Sequence, residues 1–459
     1  MDPILAFPAG CQAYRGNILH FLNDPGNAPE PEPDSYEYYP DGLLVVHQGR
    51  VLATAPAPEL ISRLPGGTDI RHWPEGLIMP GFIDTHVHMP QLAVMASYGT
   101  QLLDWLETYT FPHEARFCQA DWARAEASQF LDLLLCHGTT SALVFCTSHP
   151  ASVNAVFEGA QSRGMALTAG KVMMDRNAPA NLTDTARESY RDSCELAKRW
   201  HNRGRLRYAI TPRFAITSSP AQLQLAGELA QAFPDALIQT HWAENTGEIE
   251  LTRQLFPERH SYLDVYDHYG LLGRNTVLAH GIHIGDQDRH RLAQTGASIA
   301  FCPTSNTFLG SGLFDLGATR AAGVQVGLAS DVGGGTSLSM LATMAEAYKV
   351  CRLRGQTLTP WLAFYLATLG NARVLQQEDQ TGNFRPGNQA DFVVLDPLGA
   401  PITAMKQRAG QSLQELLFDL MILGDDRAIA ATAVAGQLLW QRPDADEQPA
   451  PLSLTATGA

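Results

Sequence analysis

The chain has 459 residues, 45% of them hydrophobic and 17% charged, so it is long enough and apolar enough to bury a large core. Asp and Glu outnumber Lys and Arg by 47 to 32, and the formal net charge of -15 disfavours a nucleic-acid-binding surface, which needs basic patches against phosphates. We expect neither a membrane span nor a secretory signal, because no apolar stretch is long enough to cross a bilayer and the N-terminus carries no basic segment.

The predicted elements begin with a flank rich in Gly, Pro and short β runs, and the same style of sequence returns near the C-terminus. These runs lie at residues 43–47, 51–53, 390–395 and 431–440. Residues 23–40, which hold several Pro and acidic residues, predict a loop or an excursion from the fold. We expect residues 1–77 and 385–445 to pair into one small β-sandwich domain, followed by a frayed tail at residues 446–459.

Between the flanks, β-rich runs alternate with helical stretches. The runs lie at residues 76–83, 140–145, 166–173, 207–214, 236–241, 276–280, 298–301 and 324–330. The helical segments 122–137 and 184–202 are closed by Gly138 and Gly204, as is typical of helix C-termini. Eight strands alternating with helices predict a closed, TIM-like (β/α)8 barrel over residues 78–384, and an open doubly wound sheet is the alternative.

Polar side chains stand at the predicted C-terminal ends of four strands, the edge at which barrel enzymes carry their active sites. His86 and His88 end the first strand, and they point to the same face because side chains alternate along a strand. His241, His280 and Asp331 end the fifth, sixth and eighth strands. Each of them alone is also compatible with a hydrogen-bonded core residue, but four strands that deliver such residues to one rim indicate a metal site.

Imidazoles and a carboxylate suit a divalent transition ion, with zinc first and iron second, and such an ion lowers the pKa of a bound water to about 7. Asp331 can then both ligate the ion and accept a proton from the attacking water, while His280 can orient that water. Glu244, three residues beyond His241, can shuttle a proton to a ring nitrogen or a leaving amine. The alternative for Glu244 is an acidic residue favoured at a helix N-terminus.

These motifs resemble the amidohydrolase superfamily, and within it the branch that deaminates guanine. The matching segments cover the barrel from end to end, at residues 80–91, 110–114, 211–214, 241–245, 279–281, 301–306 and 330–337. The resemblance implies that one zinc ion is held by His86, His88, His241 and Asp331. It also implies that His280 lies beside the bound water and that Glu244 is the proton shuttle.

The resemblance further implies a purine pocket formed by Gln91, Arg213 and Phe214, with His241 and Asp331 also contacting the substrate. A guanidinium offers rigid donors to the ring carbonyl of guanine, an amide both donates and accepts along a ring edge, and an aromatic side chain covers the ring face. A structural ion pair is the alternative role for Arg213.

By the same resemblance we expect hydrolytic deamination of guanine to xanthine and ammonia, in purine catabolism or salvage, by a homodimer that binds no membrane. The fourth strand carries no metal-binding lysine at residues 208–213, so one ion per chain is expected. The seven scattered cysteines predict reduced thiols in a cytoplasmic protein. One alternative is a related hydrolase that deaminates or dechlorinates another N-heterocycle, such as a triazine, a pterin or an adenine derivative. The other is a metal-free barrel that acts as an assembly or binding protein.

Overall fold

The computed structural model describes residues 6–98, 102–407 and 411–443, so the tail predicted at residues 446–459 lies outside the described ranges. The strands, in chain order, are β1 (Gln12–Phe21), β2 (Tyr36–His47), β3 (Arg50–Pro56), β4 (Ile70–Pro80), β5 (Phe82–His88), β6 (Thr139–Phe145), β7 (Ala166–Gly170), β8 (Val172–Met173), β9 (Leu206–Pro212), β10 (Leu237–Trp242), β11 (Thr276–His280), β12 (Ser298–Phe301), β13 (Val326–Leu328), β14 (Phe392–Leu395), β15 (Ile429–Val434) and β16 (Gln437–Gln441).

The helices, in chain order, are α1 (Ala57–Ile61), α2 (Leu102–Trp105), α3 (Phe111–Glu114), α4 (Ala120–Cys136), α5 (Pro150–Arg163), α6 (Ala186–Trp200), α7 (Pro220–Ala232), α8 (Thr246–Leu255), α9 (Tyr262–His268), α10 (Asp286–Thr295), α11 (Pro303–Phe308), α12 (Leu316–Ala321), α13 (Met340–Leu353), α14 (Pro360–Leu366), α15 (Leu369–Val374), α16 (Pro401–Lys406) and α17 (Leu413–Leu423). Short 3-10 turns cover Met89–Val94, Ala115–Cys118, Ala215–Thr217 and Asp426–Ala428, and a π-helical turn covers Leu106–Thr110. Within the described ranges, no helix has both the length and the apolar character that a membrane span requires.

Eight parallel strands form the predicted barrel, in the order β5, β6, β7, β9, β10, β11, β12 and β13, and β8 adds a short pairing to β9. Backbone hydrogen bonds join the rim just beyond β13 to β5. The N–H of His88 donates to the carbonyl of Val332 at 2.8 Å, and the N–H of Asp331 donates to the carbonyl of His86 at 2.9 Å. The C-terminal ends of the first and eighth barrel strands therefore meet.

The same seam is closed deeper in the barrel by Asn371 on α15. Its side-chain amide donates to the carbonyl of Ile83 at 2.5 Å and accepts from the N–H of Leu328 at 2.8 Å. Around it, buried apolar side chains from successive strands and α15 form one cluster: Ile83, Leu143, Ala209, Leu237, Val277, Ala279, Ala300, Cys302, Ala329, Ala372, Val374 and Leu375. Because the interior is filled in this way, the polar groups that can reach a ligand lie at the rim.

The two flanks form a separate seven-stranded sheet in the order β16, β15, β14, β4, β1, β2 and β3. The β1–β4 pair is parallel, and the other neighbours are antiparallel. Strand β4 comes from the N-terminal flank and β14 from the C-terminal flank, so their pairing brings both ends of the described chain into one sheet beside the barrel.

The run predicted as one strand at residues 76–83 is divided between the two sheets. Pro80 pairs with Phe392 in the small sheet, whereas Phe82 pairs with Thr139 in the barrel. The break falls at Gly81, where an added Cβ would collide with the side chain of Thr140. The prediction of a single strand was wrong because the apolar pattern continues through the point at which the chain crosses from one sheet to the other.

The loop predicted at residues 23–40 is also shorter than expected, because β2 begins at Tyr36. Tyr36 pairs with Phe21 on β1, and the antiparallel register continues from there. Aromatic residues have a high strand propensity, which here outweighs the neighbouring acidic and Pro residues.

Candidate functional site

Four side-chain donor atoms converge at the C-terminal rim of the barrel. His88 Nε2 lies 3.2 Å from His86 Nε2 and 3.1 Å from His241 Nε2. Asp331 Oδ1 lies 3.1 Å from His86 Nε2 and 3.3 Å from His88 Nε2. Ligand atoms at about 2.1 Å from a tetrahedral ion stand about 3.4 Å apart, so these separations fit a site for zinc or a similar ion.

The electrostatics of the cluster favour the unprotonated forms that a metal ion requires. Burial lowers the pKa of His88 to about 4. Burial, together with the neighbouring His86 and His88, lowers the pKa of His241 well below its usual value. Burial favours the neutral acid at Asp331, but the adjacent His86 and His88 outweigh burial and lower the pKa of Asp331 well below its usual range.

The backbone at the rim is held in conformations that non-glycine residues rarely adopt. Asp331 has φ of 50° and His280 has φ of 75°, both in the left-handed region. The buried carboxyl of Asp84 accepts from the N–H of His86 at 3.2 Å and from the N–H of Ser330 at 3.1 Å, so it ties the first strand to the residue before Asp331. Such strain persists where the surrounding structure enforces it, as is common at functional sites.

His280 lies beside the cluster, at a greater distance from Asp331 than His86 or His88. Its Nε2 is 3.7 Å from Asp331 Oδ2 and 3.4 Å from Glu244 Oε2, and its Nδ1 is 2.9 Å from Asn306 Oδ1. Within the described residues, His86, His241, His280 and Asp331 offer ligand atoms within 4.8 Å of one another. We give more weight to His88 as a ligand because its Nε2 has contacts of 3.1–3.3 Å with the other donors.

Glu244 is buried beside this cluster, with its Oε2 3.4 Å from His280 Nε2. It follows Ala243, whose φ of 51° turns the chain out of β10. Burial, followed by the charge of Asp331, raises the pKa of Glu244 to about 8, while a hydrogen bond from Ser311 lowers it. A carboxyl group with this pKa can hold a proton at neutral pH and release it to a bound ring.

The predicted substrate residues line one pocket with the metal-site residues. Gln91, Arg213 and Phe214 form part of its wall, and the other polar walls are His88, His241, Glu244, His280, Ser305 and Asp331. Apolar walls are formed by Leu102, Trp105, Leu106 and Leu309. A planar ring with polar edges fits such a mixture of apolar walls and a few convergent polar groups.

Glu114 is a residue of this pocket's surroundings that sequence reasoning missed. It belongs to α3, its side chain is fully buried, and its carboxylate accepts hydrogen bonds from Gln91 and Arg213. Arg213 therefore forms a buried ion pair, which was its alternative role, and it also lines the pocket. The matched segment at residues 110–114 contains this acid. Glu114 lies on a helix, so the rule that functional residues follow the C-terminal ends of barrel strands did not identify it.

Glu248 and Ser311 were also missed, and both contact Glu244. Glu248 Oε2 accepts from the N–H of Glu244 at 2.9 Å and from the N–H of Asn245 at 3.1 Å. Its Oε1 accepts from the Tyr262 hydroxyl at 2.6 Å. The spacing of Asn245 and Glu248 is that of a capping box, a sequence signal that could have identified this acid as a support of the Glu244 loop.

The chain is similar to proteins of known sequence and structure over nearly its whole length. The sequence model of the amidohydrolase family matches residues 77–439. The guanine deaminase of Escherichia coli is 47% identical over 431 residues, which cover 94% of this chain and 98% of that protein. A solved structure of guanine deaminase from Bradyrhizobium japonicum has a TM-score of 0.91 and 36% identity, covering 94% of this chain and 100% of that one. A guanine deaminase from C. acetobutylicum, solved with guanine bound in the active site, has a TM-score of 0.84 and 28% identity over the same shares.

Proposed function

This chain belongs to the amidohydrolase family, and on that premise we propose that it catalyses the hydrolytic deamination of guanine to xanthine and ammonia. The observation that carries the proposal is one pocket lined by Gln91 and Arg213 on one side and by Glu244 and the metal donors on the other. The full-length similarity to guanine deaminases supports guanine over other aminated rings. Water adds to the amino-bearing ring carbon, and the amino group leaves as ammonia.

We assign the metal to His86, His88, His241 and Asp331, with zinc as the first choice and iron as the second. Their mutual distances and their deprotonated forms support this assignment. When bound, the ion supplies hydroxide at neutral pH because it lowers the pKa of water.

Proton transfer falls to two carboxyl groups of this chain. Asp331, kept ionised by its histidine neighbours, accepts a proton from the attacking water. Glu244, which burial keeps protonated at neutral pH, donates its proton to the ring nitrogen next to the reacting carbon. When the carbon–nitrogen bond breaks, the proton held by Asp331 passes to the departing amino group, and Glu244 recovers a proton from the added hydroxyl as the new carbonyl forms. His280 lies within 3.7 Å of both carboxyl groups and is suited to orient the water between them.

Recognition of guanine falls to Gln91, Arg213 and Phe214. Arg213 offers N–H donors to the ring carbonyl, and Gln91 can donate and accept along the ring edge. The ring centroid of Phe214 lies 6.2 Å from that of His241, so the aromatic ring is close to one of the metal donors. His241 and Asp331 then contact the reacting end of the substrate.

The substrate is tested by incubating the purified, zinc-loaded protein with guanine, adenine, cytosine and a triazine while ammonia release is followed. We expect guanine to give the highest kcat/KM. Ammonia from another ring and none from guanine would overturn the substrate assignment. A protein that holds no metal and releases no ammonia from any ring would instead favour a binding or assembly role.

We also propose that the enzyme works in the cytoplasm, as a homodimer, in purine catabolism or salvage. The seven cysteines all lie in the described ranges and carry free thiols, in keeping with a reducing compartment. The dimer and the pathway rest on the family resemblance. Size-exclusion chromatography with light scattering measures the oligomeric state directly.

A further inference from the structure

Glu114 contacts two polar residues of the pocket, Gln91 and Arg213. Its Oε1 accepts from Gln91 Nε2 at 2.9 Å, and its Oε2 accepts from Arg213 Nη1 at 2.7 Å. Gln91 lies just after β5 and Arg213 lies just after β9. One buried carboxylate therefore joins side chains from two distant parts of the barrel rim.

The first contact sets the orientation of the Gln91 amide. A carboxylate only accepts hydrogen bonds, so the NH2 end of the amide must face Glu114. The N–H of Gly333 donates to Gln91 Oε1 at 3.3 Å and holds the other end of the amide. Gln91 therefore keeps one N–H and one lone pair for a ligand, in a defined order along the ring edge.

The second contact orients the Arg213 guanidinium and balances its charge. The group lies 5.3 Å from the ring centroid of Phe111, and the arginine carbonyl accepts from His241 Nδ1 at 2.7 Å. With Nη1 held by Glu114, the other N–H groups of the rigid fork are aimed by the same bond. A buried arginine with a carboxylate partner suits a neutral ring, because an unpaired guanidinium would favour an anion.

We infer that Glu114 is a positioning residue for substrate recognition, which holds Gln91 and Arg213 so that their free donors and acceptors match a neutral oxopurine. This role rests on the proposed function, because it concerns how the same pocket selects guanine. Glu114 acts through its two partners and does not itself line the pocket.

The isosteric variant Glu114→Gln tests the role. The amide oxygen of the variant can accept a hydrogen bond from Gln91 or from Arg213. Its NH2 group then faces an N–H donor of the other residue, and the repulsion between the two donors displaces one of the side chains. We expect kcat/KM for guanine to fall by about 100-fold, because small displacements of binding groups cost rate to that degree. Zinc content should stay close to that of the wild type, whereas the melting temperature should fall, because the variant leaves the buried guanidinium of Arg213 without a charged partner.

A double-mutant cycle with Arg213→Met separates positioning from a general structural role. Without the guanidinium, the variant amide accepts from Gln91 and opposes no donor. Glu114→Gln should therefore lower kcat/KM by no more than about threefold in the Arg213→Met background, because residues that act as a unit are not additive. The matched control is Glu126→Gln, a half-buried acid on α4 away from the pocket, which should leave kcat/KM unchanged.

The outcomes separate this role from the proposed function. A wild-type protein that releases no ammonia from guanine overturns both. An active wild type with an equally active Glu114→Gln variant overturns only the role of Glu114. Loss of zinc in the Glu114→Gln variant would also overturn the positioning role. The same holds if the decrease in kcat/KM of the double variant equals the product of the two single decreases. Each result would mean that the substitution acts independently of the contact with Arg213.

Discussion

The Ser311 hydroxyl donates a hydrogen bond to Glu244 Oε1 across 3.2 Å, between the loop after α11 and the loop after β10. This bond stabilises the ionised carboxylate and so lowers the pKa of Glu244. Burial and the charge of Asp331 act in the opposite direction and outweigh it, and the resulting pKa is about 8. Ser311→Ala should raise the pKa of Glu244 by about one to two pH units, since hydrogen bonds to charged groups contribute about 1.5–3 kcal/mol. Because Glu244 acts as an acid, the alkaline limb of the kcat–pH profile should move upward by that amount.

The matched control for this shift is Ser162→Ala on the exposed surface of α5, which should leave the profile unchanged. A Ser311→Ala profile that overlies the wild type, or one that moves to lower pH, would show that Ser311 does not stabilise ionised Glu244.

Glu244→Gln should retain zinc and lose turnover. Glu244 is not one of the four proposed ligands, and the glutamine amide is nearly isosteric with its carboxyl group. The amide has no acidic proton to transfer to the ring. We expect kcat to fall by about 10²–10⁴-fold, the usual contribution of a positioned acid or base. Zinc content by mass spectrometry and the initial rate of ammonia release provide the check, and full turnover in this variant would exclude the proton-shuttle role.

His86→Ala should lose both metal and activity, because it removes one of four donors that lie about 3 Å apart. We expect affinity for zinc to fall by more than about 100-fold, a loss that even outer residues of metal sites can cause. His290→Ala, an exposed histidine on α10, is the control and should bind zinc like the wild type. Equal zinc content in the two variants would contradict the assigned ligand set.

Glu248→Gln should stabilise the protein at alkaline pH. Burial, followed by the interaction with the neighbouring carboxyl of Glu244, raises the pKa of Glu248 from 4.5 to about 7. Between those values the unfolded carboxyl ionises while the folded one stays protonated, so the free energy of unfolding decreases as pH rises toward 7. The variant lacks this loss and should be more stable at pH 8 by up to about 3 kcal/mol.

The test for Glu248 is the difference in melting temperature between the variant and the wild type as a function of pH. The difference should be largest above pH 7 and should vanish well below pH 4.5, where Glu248 is protonated in both the folded and the unfolded protein. If the variant is less stable than the wild type at pH 8, the expectation is contradicted. The hydrogen bonds that wild-type Glu248 accepts from Glu244, Asn245 and Tyr262 would then outweigh the cost of burying its charge.

The barrel and the rim residues could be predicted because both follow from periodic local signals. The strands Thr276–His280 and Ser298–Phe301 have the predicted bounds, and the (β/α)8 barrel is confirmed. His86 and His88 meet His241 in space because parallel strands bring their C-terminal ends to one rim. A strand-end rule of this kind needs no knowledge of side-chain packing.

Supporting residues could not be predicted because they act through tertiary contacts. Glu114 lies on a short helix and reaches Arg213, 99 positions away along the chain, only once the barrel has closed. Ser311 reaches Glu244 across 67 positions from a different loop. The crossing at Gly81 was likewise hidden, because the apolar run continues through it and only the approach of Thr140 marks the break.

The central claim is tested most directly by the fate of the oxygen atom. Zinc-loaded wild-type protein is supplied with guanine in oxygen-18 water, and the purine product is analysed by mass spectrometry. The predicted result is xanthine with a single heavy oxygen at the carbon that carried the amino group, and one ammonia for each xanthine. Guanine recovered unchanged while another aminated ring releases ammonia would contradict the account, as would xanthine without the label.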